Sequence, residues 1–168
     1  MKITTKKGDG GRTELLFGEK VGKTSPQILA LGSVDELNAF LGYARVLSHE
    51  EHIDRLQQLL VTLMGELAMP EGGQKKYDNA GFGRIGPKEI DWLEEEINKA
   101  EAQGTHRGWL RPGADGKELQ ARLHLARTVA RRAELSVWEL PEEIASPNLK
   151  IFMNRISDWI WLLARSLD

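Results

Sequence analysis

Apolar positions in the second half of the chain recur at helical spacing. Leu123, Ala126, Ala130 and Val137 mark one stripe, and at about 100° per residue they share a face. The pattern predicts a helix from about Lys117 to Leu140, ended by Pro141. Four more helices follow from caps and breakers. Ser33-Val34-Asp35-Glu36 has the capping-box pattern and predicts a helix opening at Ser33 and running to about Leu47. Ser48-His49-Glu50-Glu51 predicts a second, stopped by Pro70. Pro87 suits the first position of a third, which runs to about Gln103 before Gly104. Asn148 is the predicted cap of the last, which reaches nearly to the C-terminus. Residues 71–86 and 104–116 are Gly-rich and predict loops. Residues 1–26 lack strong periodicity and predict a long loop with no hydrophobic anchor, ordered on demand by a ligand. No period-2 strand is predicted. The expected fold class is all-α, a five-helix bundle (residues 27–168) preceded by that loop (1–26), as one domain.

The helix at 117–140 places Arg127, Arg131 and Glu134 beside its apolar stripe, with Arg132 roughly opposite it. A surface helix ordinarily keeps its charges away from the core. Arginines flanking the stripe need partners or a ligand. Two readings stand: a salt-bridge network, or guanidinium groups offered in two directions to a site between subunits.

Composition excludes several function classes. The chain has 168 residues, a formal net charge of −2 and no cysteine. Thiolate zinc sites and cysteine nucleophiles are therefore ruled out. The charge balance predicts no nucleic-acid partner. No stretch has the roughly 20 apolar residues of a membrane span, and no signal peptide is visible, so a cytoplasmic location is expected.

The N-terminal run Thr5-Lys6-Lys7-Gly8-Asp9-Gly10-Gly11-Arg12-Thr13 combines glycines, cations and hydroxyls. These are the parts of a phosphate cradle. Gly18-Glu19-Lys20-Val21-Gly22-Lys23-Thr24 resembles a Walker A loop but is one residue short between its glycines and lacks a buried strand before it. A P-loop is rejected, with Lys23 retained as a lone phosphate-binding cation. In the last helix, Arg155 and Asp158 are three apart and can pair, and Asn154 and Asp158 share a face. Phe152, Trp159 and Trp161 read as core or subunit contact. His49 and His52 lack the signature of a metal site, and no protein metal ligands are expected.

In combination these segments resemble the ATP:cob(I)alamin adenosyltransferases of the propanediol-utilisation type. The resemblance rests on Thr5-x-x-Gly8-Asp9-x-Gly11, Gly32-Ser33-Val34-Asp35-Glu36-Leu37-Asn38, Glu66-Leu67-Ala68-Met69-Pro70, the run Leu123–Glu134, and Asn154-Arg155-Ile156-Ser157-Asp158 with Leu163-Ala164-Arg165. It implies a homotrimer with each active site between subunits. ATP, with Mg2+, and cobalamin or a related corrinoid are the implied ligands. The N-terminal loop of one subunit and the last two helices of its neighbour would bind ATP. Position by position, the implied ATP contacts are Thr5, Lys6, Lys7, Gly8, Thr13, Lys23, Arg131, Glu134 and Asn154, with Arg132 beside them. Asp35 and Arg127 match positions that pair across the interface, and Asp158 a position in the corrinoid region. Trp109 stands where the family's leading phenylalanine faces the corrinoid, in Trp109-Leu110-Arg111-Pro112-Gly113-Ala114 against aromatic-Ile-Leu-Pro-Gly-Gly. Arg131, Asp35, Arg127 and Trp109 form the expected catalytic set. A reductase and an adenosylcobalamin-dependent enzyme are implied partners. The alternative on the same scaffold is a non-catalytic ATP- or corrinoid-binding sensor or carrier.

Overall fold

A computed structural model of the chain describes residues 4, 6–48, 51–104, 108, 111–114 and 116–166. Five long helices carry the core: α1 (Pro26–Ser48), α2 (Glu51–Leu67), α4 (Pro87–Ala102), α5 (Glu118–Trp138) and α6 (Pro147–Arg165). A short α3 (Gln74–Asn79) lies between α2 and α4, and an antiparallel hairpin, β1 (Arg12–Glu14) with β2 (Lys20–Gly22), precedes α1. The helical expectation holds, but among the described residues there are six α-helices and a two-stranded hairpin, so the molecule is not purely α.

The buried positions explain the packing. α1 buries Ala30, Val34, Leu37, Leu41 and Ala44, and α5 buries Leu123, Ala126, Ala130, Ala133 and Val137. Both stripes step by three or four residues, so each faces one partner. Alanines on both helices let the backbones come close, and the α1–α5 and α5–α6 contacts are the most extensive in the fold. α6 fills the remaining side with Phe152, Met153, Ile156 and Ile160, all fully buried.

Two helix starts differ from expectation and a third agrees. α1 begins at Pro26, seven residues before Ser33. The Ser33 hydroxyl donates to the Leu29 carbonyl inside the helix, so its serine-to-glutamate spacing marks no boundary. The Ser25 hydroxyl instead accepts from Ile28 N–H at 3.4 Å, with Pro26 as the first helical residue. α6 is capped by Ser146, whose hydroxyl accepts from Leu149 N–H, and Pro147 fills the first position. Asn148 is already helical. α4 does start at Pro87, and Glu89 reaches back to the Gly86 N–H at 2.9 Å.

The expected loop at 71–86 is built more firmly than its glycines imply. Tyr77 of α3 is buried, and its hydroxyl donates to Gly83 O at 2.9 Å. Glu66, also buried, accepts the Ile85 N–H at 2.6 Å and pairs with Arg84 at 3.3 Å. Burial pushes the Glu66 carboxyl above its ordinary value, against the pull of that hydrogen bond and of Arg84.

Candidate active site

The expected loop before α1 is a hairpin. Arg12 faces Gly22, Thr13 faces Val21 and Glu14 faces Lys20. The hairpin has the hydrophobic anchor the sequence did not reveal: Leu15 is buried, and Leu16 N–H donates to Ala68 O at 2.9 Å at the end of α2. At its other end the chain turns tightly through Lys7-Gly8-Asp9-Gly10-Gly11, with Gly11 N–H donating to Gly8 O at 3.1 Å and Lys23 N–H to Gly11 O at 2.9 Å. Lys6 enters this turn at φ 60°, and Gly11 leaves it at φ 76°. For lysine that conformation is strained by about 1–3 kcal/mol, a feature that clusters at ligand-binding turns. A Cβ on Gly8 would lie 2.8 Å from Lys23 Nζ. Glycine is therefore what lets the Lys23 ammonium lie on this turn.

A cleft of about 410 Å³ opens on the hairpin, lined by Lys7, Gly8, Gly10, Arg12, Thr13, Glu14 and Lys20. Three cations against one carboxylate make it an anion-binding concavity. Arg12 is held in place by donating to Lys20 O at 2.7 Å. Lys20 and Glu14 were missed as lining residues. The hairpin pairing sets Glu14 opposite Lys20, and strands of three residues are too short for alternation to mark either in the sequence. Thr5 lies outside the described residues.

A second group forms where α5 meets α6. Arg131 Nη1 donates to Glu134 Oε2 at 2.7 Å. Glu134 is buried, whereas the Arg131 side chain is half-exposed. Burial raises the Glu134 proton affinity, Arg131 opposes this, and the nearby Asp158 adds to it. One N–H of the guanidinium is thus tethered while its outer edge faces solvent. Asn154 is half-buried on α6 and Asp158 is exposed one turn on. The anticipated Arg155–Asp158 pair does not form: Arg155 Nε donates to Glu94 of α4 at 3.1 Å. That leaves Asp158 lining a second cleft, of about 450 Å³, between α4 and α6, with Trp161, Ile97 and Leu162 as its apolar wall. Phe152 and Trp159 are core, but Trp161 is a cleft residue. No residue of α5 or α6 lines the hairpin cleft.

Arg132 points toward α1, where it pairs with Glu36. The salt-bridge reading therefore describes Arg132 well. Asp35 is exposed on α1. Arg127 is half-buried, and its Nε is buried without a hydrogen-bond partner among the described residues. Trp109 lies outside the described residues, and the neighbouring Arg111 is exposed. His52 is engaged by Glu96 at 3.1 Å. Among the described residues no group of three or more metal-ligating side chains exists. No helix there is long and apolar enough to cross a membrane.

The family model for cobalamin adenosyltransferases matches residues 3–167. The chain belongs to that family. Curated relatives of this adenosyltransferase-family chain include the corrinoid adenosyltransferase PduO of Salmonella typhimurium, 36% identical over 175 residues. That alignment covers 100% of this chain and 50% of the relative, so the chain spans about half the length of that protein. A corrinoid adenosyltransferase of Bacillus subtilis is 33% identical over 172 residues, covering 100% of this chain and 87% of the relative. Among solved structures, a variant PduO-type ATP:corrinoid adenosyltransferase from Lactobacillus reuteri, complexed with cobalamin and ATP, superposes with a TM-score of 0.85 at 32% identity. It covers 99% of this family member and 93% of that chain. A second variant from that organism, complexed with ATP, gives 0.83 at 32% identity, covering 98% and 93%.

Proposed function

We propose that this chain transfers the 5′-deoxyadenosyl group of ATP to the cobalt of a reduced corrinoid, as one domain acting in the cytoplasm. The observation that carries the reading is the strained, glycine-dependent cationic hairpin, a fitting cradle for triphosphate, in a chain of this family. The corrinoid is a substrate, and its Co(I) supplies the nucleophile. A Co–C bond forms at C5′ of ATP, the C5′–O bond breaks with its electron pair leaving on triphosphate, and cobalt ends as Co(III). No protein nucleophile is required.

The residues have separable tasks. Lys6, Lys7, Lys23 and the Thr5 and Thr13 hydroxyls hold the triphosphate, with Gly8 letting the turn close around it. Arg131 completes the charge neutralisation of the leaving group, worth several kcal/mol in a desolvated site. Glu134 fixes the direction of Arg131, and Asn154 is placed to bind the nucleoside. Mg2+ would enter with the nucleotide as MgATP and would share with Lys7 and Lys23 the neutralisation of the triphosphate. Asp158 and the Trp161 wall suit the corrinoid cleft. Trp109 is assigned the aromatic wall that keeps a base or water from cobalt. Arg132, tied to Glu36, supports α5 beside the site.

The site is completed by a neighbour in a homotrimer. Two observations support this. The hairpin cleft and the Arg131 group lie on different elements, and the half-buried Arg127, whose Nε has no hydrogen-bond partner among the described residues, can offer the rest of its guanidinium to Asp35 of a neighbouring copy. Exposed Leu29, Tyr43 and Val46 on α1 and Leu125, Leu135 and Trp138 on α5 provide apolar surface for such contacts. A reductase supplies the electron for Co(I), and an adenosylcobalamin-dependent enzyme receives the product. The test is product identity. Incubation with MgATP and reduced cobalamin should release intact triphosphate in equal amount to adenosylcobalamin. Release of ADP, or ligand binding with no product, would overturn the proposal, the latter in favour of a sensor or carrier.

A further inference from the structure

The stripe of α1 that enters the core reads Gln27, Ala30, Val34, Leu37 and Leu41. A glutamine is out of place there, since a buried amide without partners is costly. Gln27 is only 8% exposed. Its Nε2 donates to Leu67 O at 2.7 Å and to Met69 O at 2.9 Å. These are carbonyls that the end of α2 leaves unsatisfied. The carbonyl between them, on Ala68, accepts the Leu16 N–H from the hairpin at 2.9 Å. Three successive carbonyls thus hold α1 and the hairpin together. Gln27 is also four residues beyond Lys23, whose ammonium lies on the Gly8 turn. The segment from Leu16 to Gln27 is closed at both ends on the last turn of α2.

We propose that Gln27 is a positioning residue for ATP. It touches no substrate. It fixes the last turn of α2, which through Ala68 O sets the seat of the hairpin and so the place where Lys23 and Gly8 meet the triphosphate. The inference rests on the reading of the hairpin as the nucleotide cradle.

Three variants of the full chain test it. Gln27→Met keeps the length and removes the donor. Gln27→Lys keeps a donor and brings a positive charge, which a helix C-terminus favours. Leu16→Pro removes the anchor from the hairpin side and leaves the α1–α2 contact intact. Leu15 has φ −78° and ψ −176°, the extended conformation that a following proline demands. Gln27→Met and Leu16→Pro should each raise the KM for MgATP by about tenfold, the loss of one or two hydrogen bonds. The kcat and the corrinoid KM should stay unchanged. Gln27→Lys should return the ATP KM towards wild type, and in Gln27→Met the Leu16 amide should exchange faster with solvent. Should Gln27→Met fail to fold, Gln27→Leu takes its place with the same expected rise in the ATP KM, and Leu16→Pro tests the hairpin side of the contact. An unchanged ATP KM in Leu16→Pro, or an equal rise in both KM values, would overturn the proposal. A wild-type chain that binds MgATP but transfers no adenosyl group would sink the functional reading alone. Calorimetric MgATP affinity of the variants would then decide the role of Gln27.

Discussion

At the scale of single residues, the pairing of a buried carboxylate with a half-exposed arginine is the most consequential arrangement. Glu134 is held above its ordinary proton affinity mainly by burial. The folded state therefore binds that proton more tightly than the unfolded chain. Its contribution to stability is fully present below the unfolded value of 4.5 and is lost as pH rises through the raised folded value. Arg131→Ala should lower kcat about 10²- to 10³-fold by removing charge stabilisation of the leaving group. It should also lower the melting temperature near neutral pH, because Glu134 loses its partner, and this loss should shrink as pH falls. Arg131→Ala with Glu134→Gln should recover the melting temperature but not kcat. Thermal melts across pH and steady-state rates check both. Recovery of activity in the double variant would make the arginine structural. This pairing was only half legible in the sequence. The three-residue spacing of Arg131 and Glu134 is visible in a helix, whereas the partners of Arg132 and Arg155 sit on α1 and α4. No local pattern names them.

Among the elements, the hairpin is where sequence and structure differ most, and the reason is physical. β1 and β2 are three residues each, their exposed positions are charged or, at Gly22, glycine, and their central residues are only half-buried. Such strands carry almost no period-2 signal. Their position is set by Leu15, Leu16 and the end of α2, all tertiary contacts. The long helices were legible because each keeps its three-to-four-residue stripe for several turns. Their ends were less so: Ser33 has the chemistry of a cap but stands mid-helix because Pro26 starts α1 earlier. The short α3 was hidden by flanking glycines and is held by Tyr77 and the Arg84–Glu66 pair. The hairpin account makes a specific prediction for Gly8→Ala. The added methyl would meet the tip of Lys23, 2.8 Å away. A flexible ammonium can move, so the fold should survive with an unchanged melting temperature. ATP binding measured by calorimetry should weaken about tenfold, the displacement of one charge-assisted contact. Unchanged affinity would mean that Lys23 does not serve the nucleotide there.

For the whole molecule, the account requires more than one copy of the chain. The apolar residues left outside α1 and α5 are large: Leu29 is 56% exposed, Val46 69% and Leu135 59%. Together with Arg127 they are the surface on which the proposed trimer contact rests. Leu135→Glu should place a charge in that contact. Sedimentation velocity should show a shift from trimer to monomer, with helical circular dichroism retained and turnover lost together with the assembly. A wild-type chain that sediments as an active monomer would contradict the inter-subunit site.

The most direct test of the central claim is an anaerobic assay of the wild-type chain with MgATP and chemically reduced cob(I)alamin. The visible spectrum should convert to that of an alkylcobalamin with a Co–C bond. The conversion should repeat over many turnovers and should fall by orders of magnitude in Arg131→Ala. A spectrum that changes only stoichiometrically on binding, or not at all while MgATP is bound, would contradict the account.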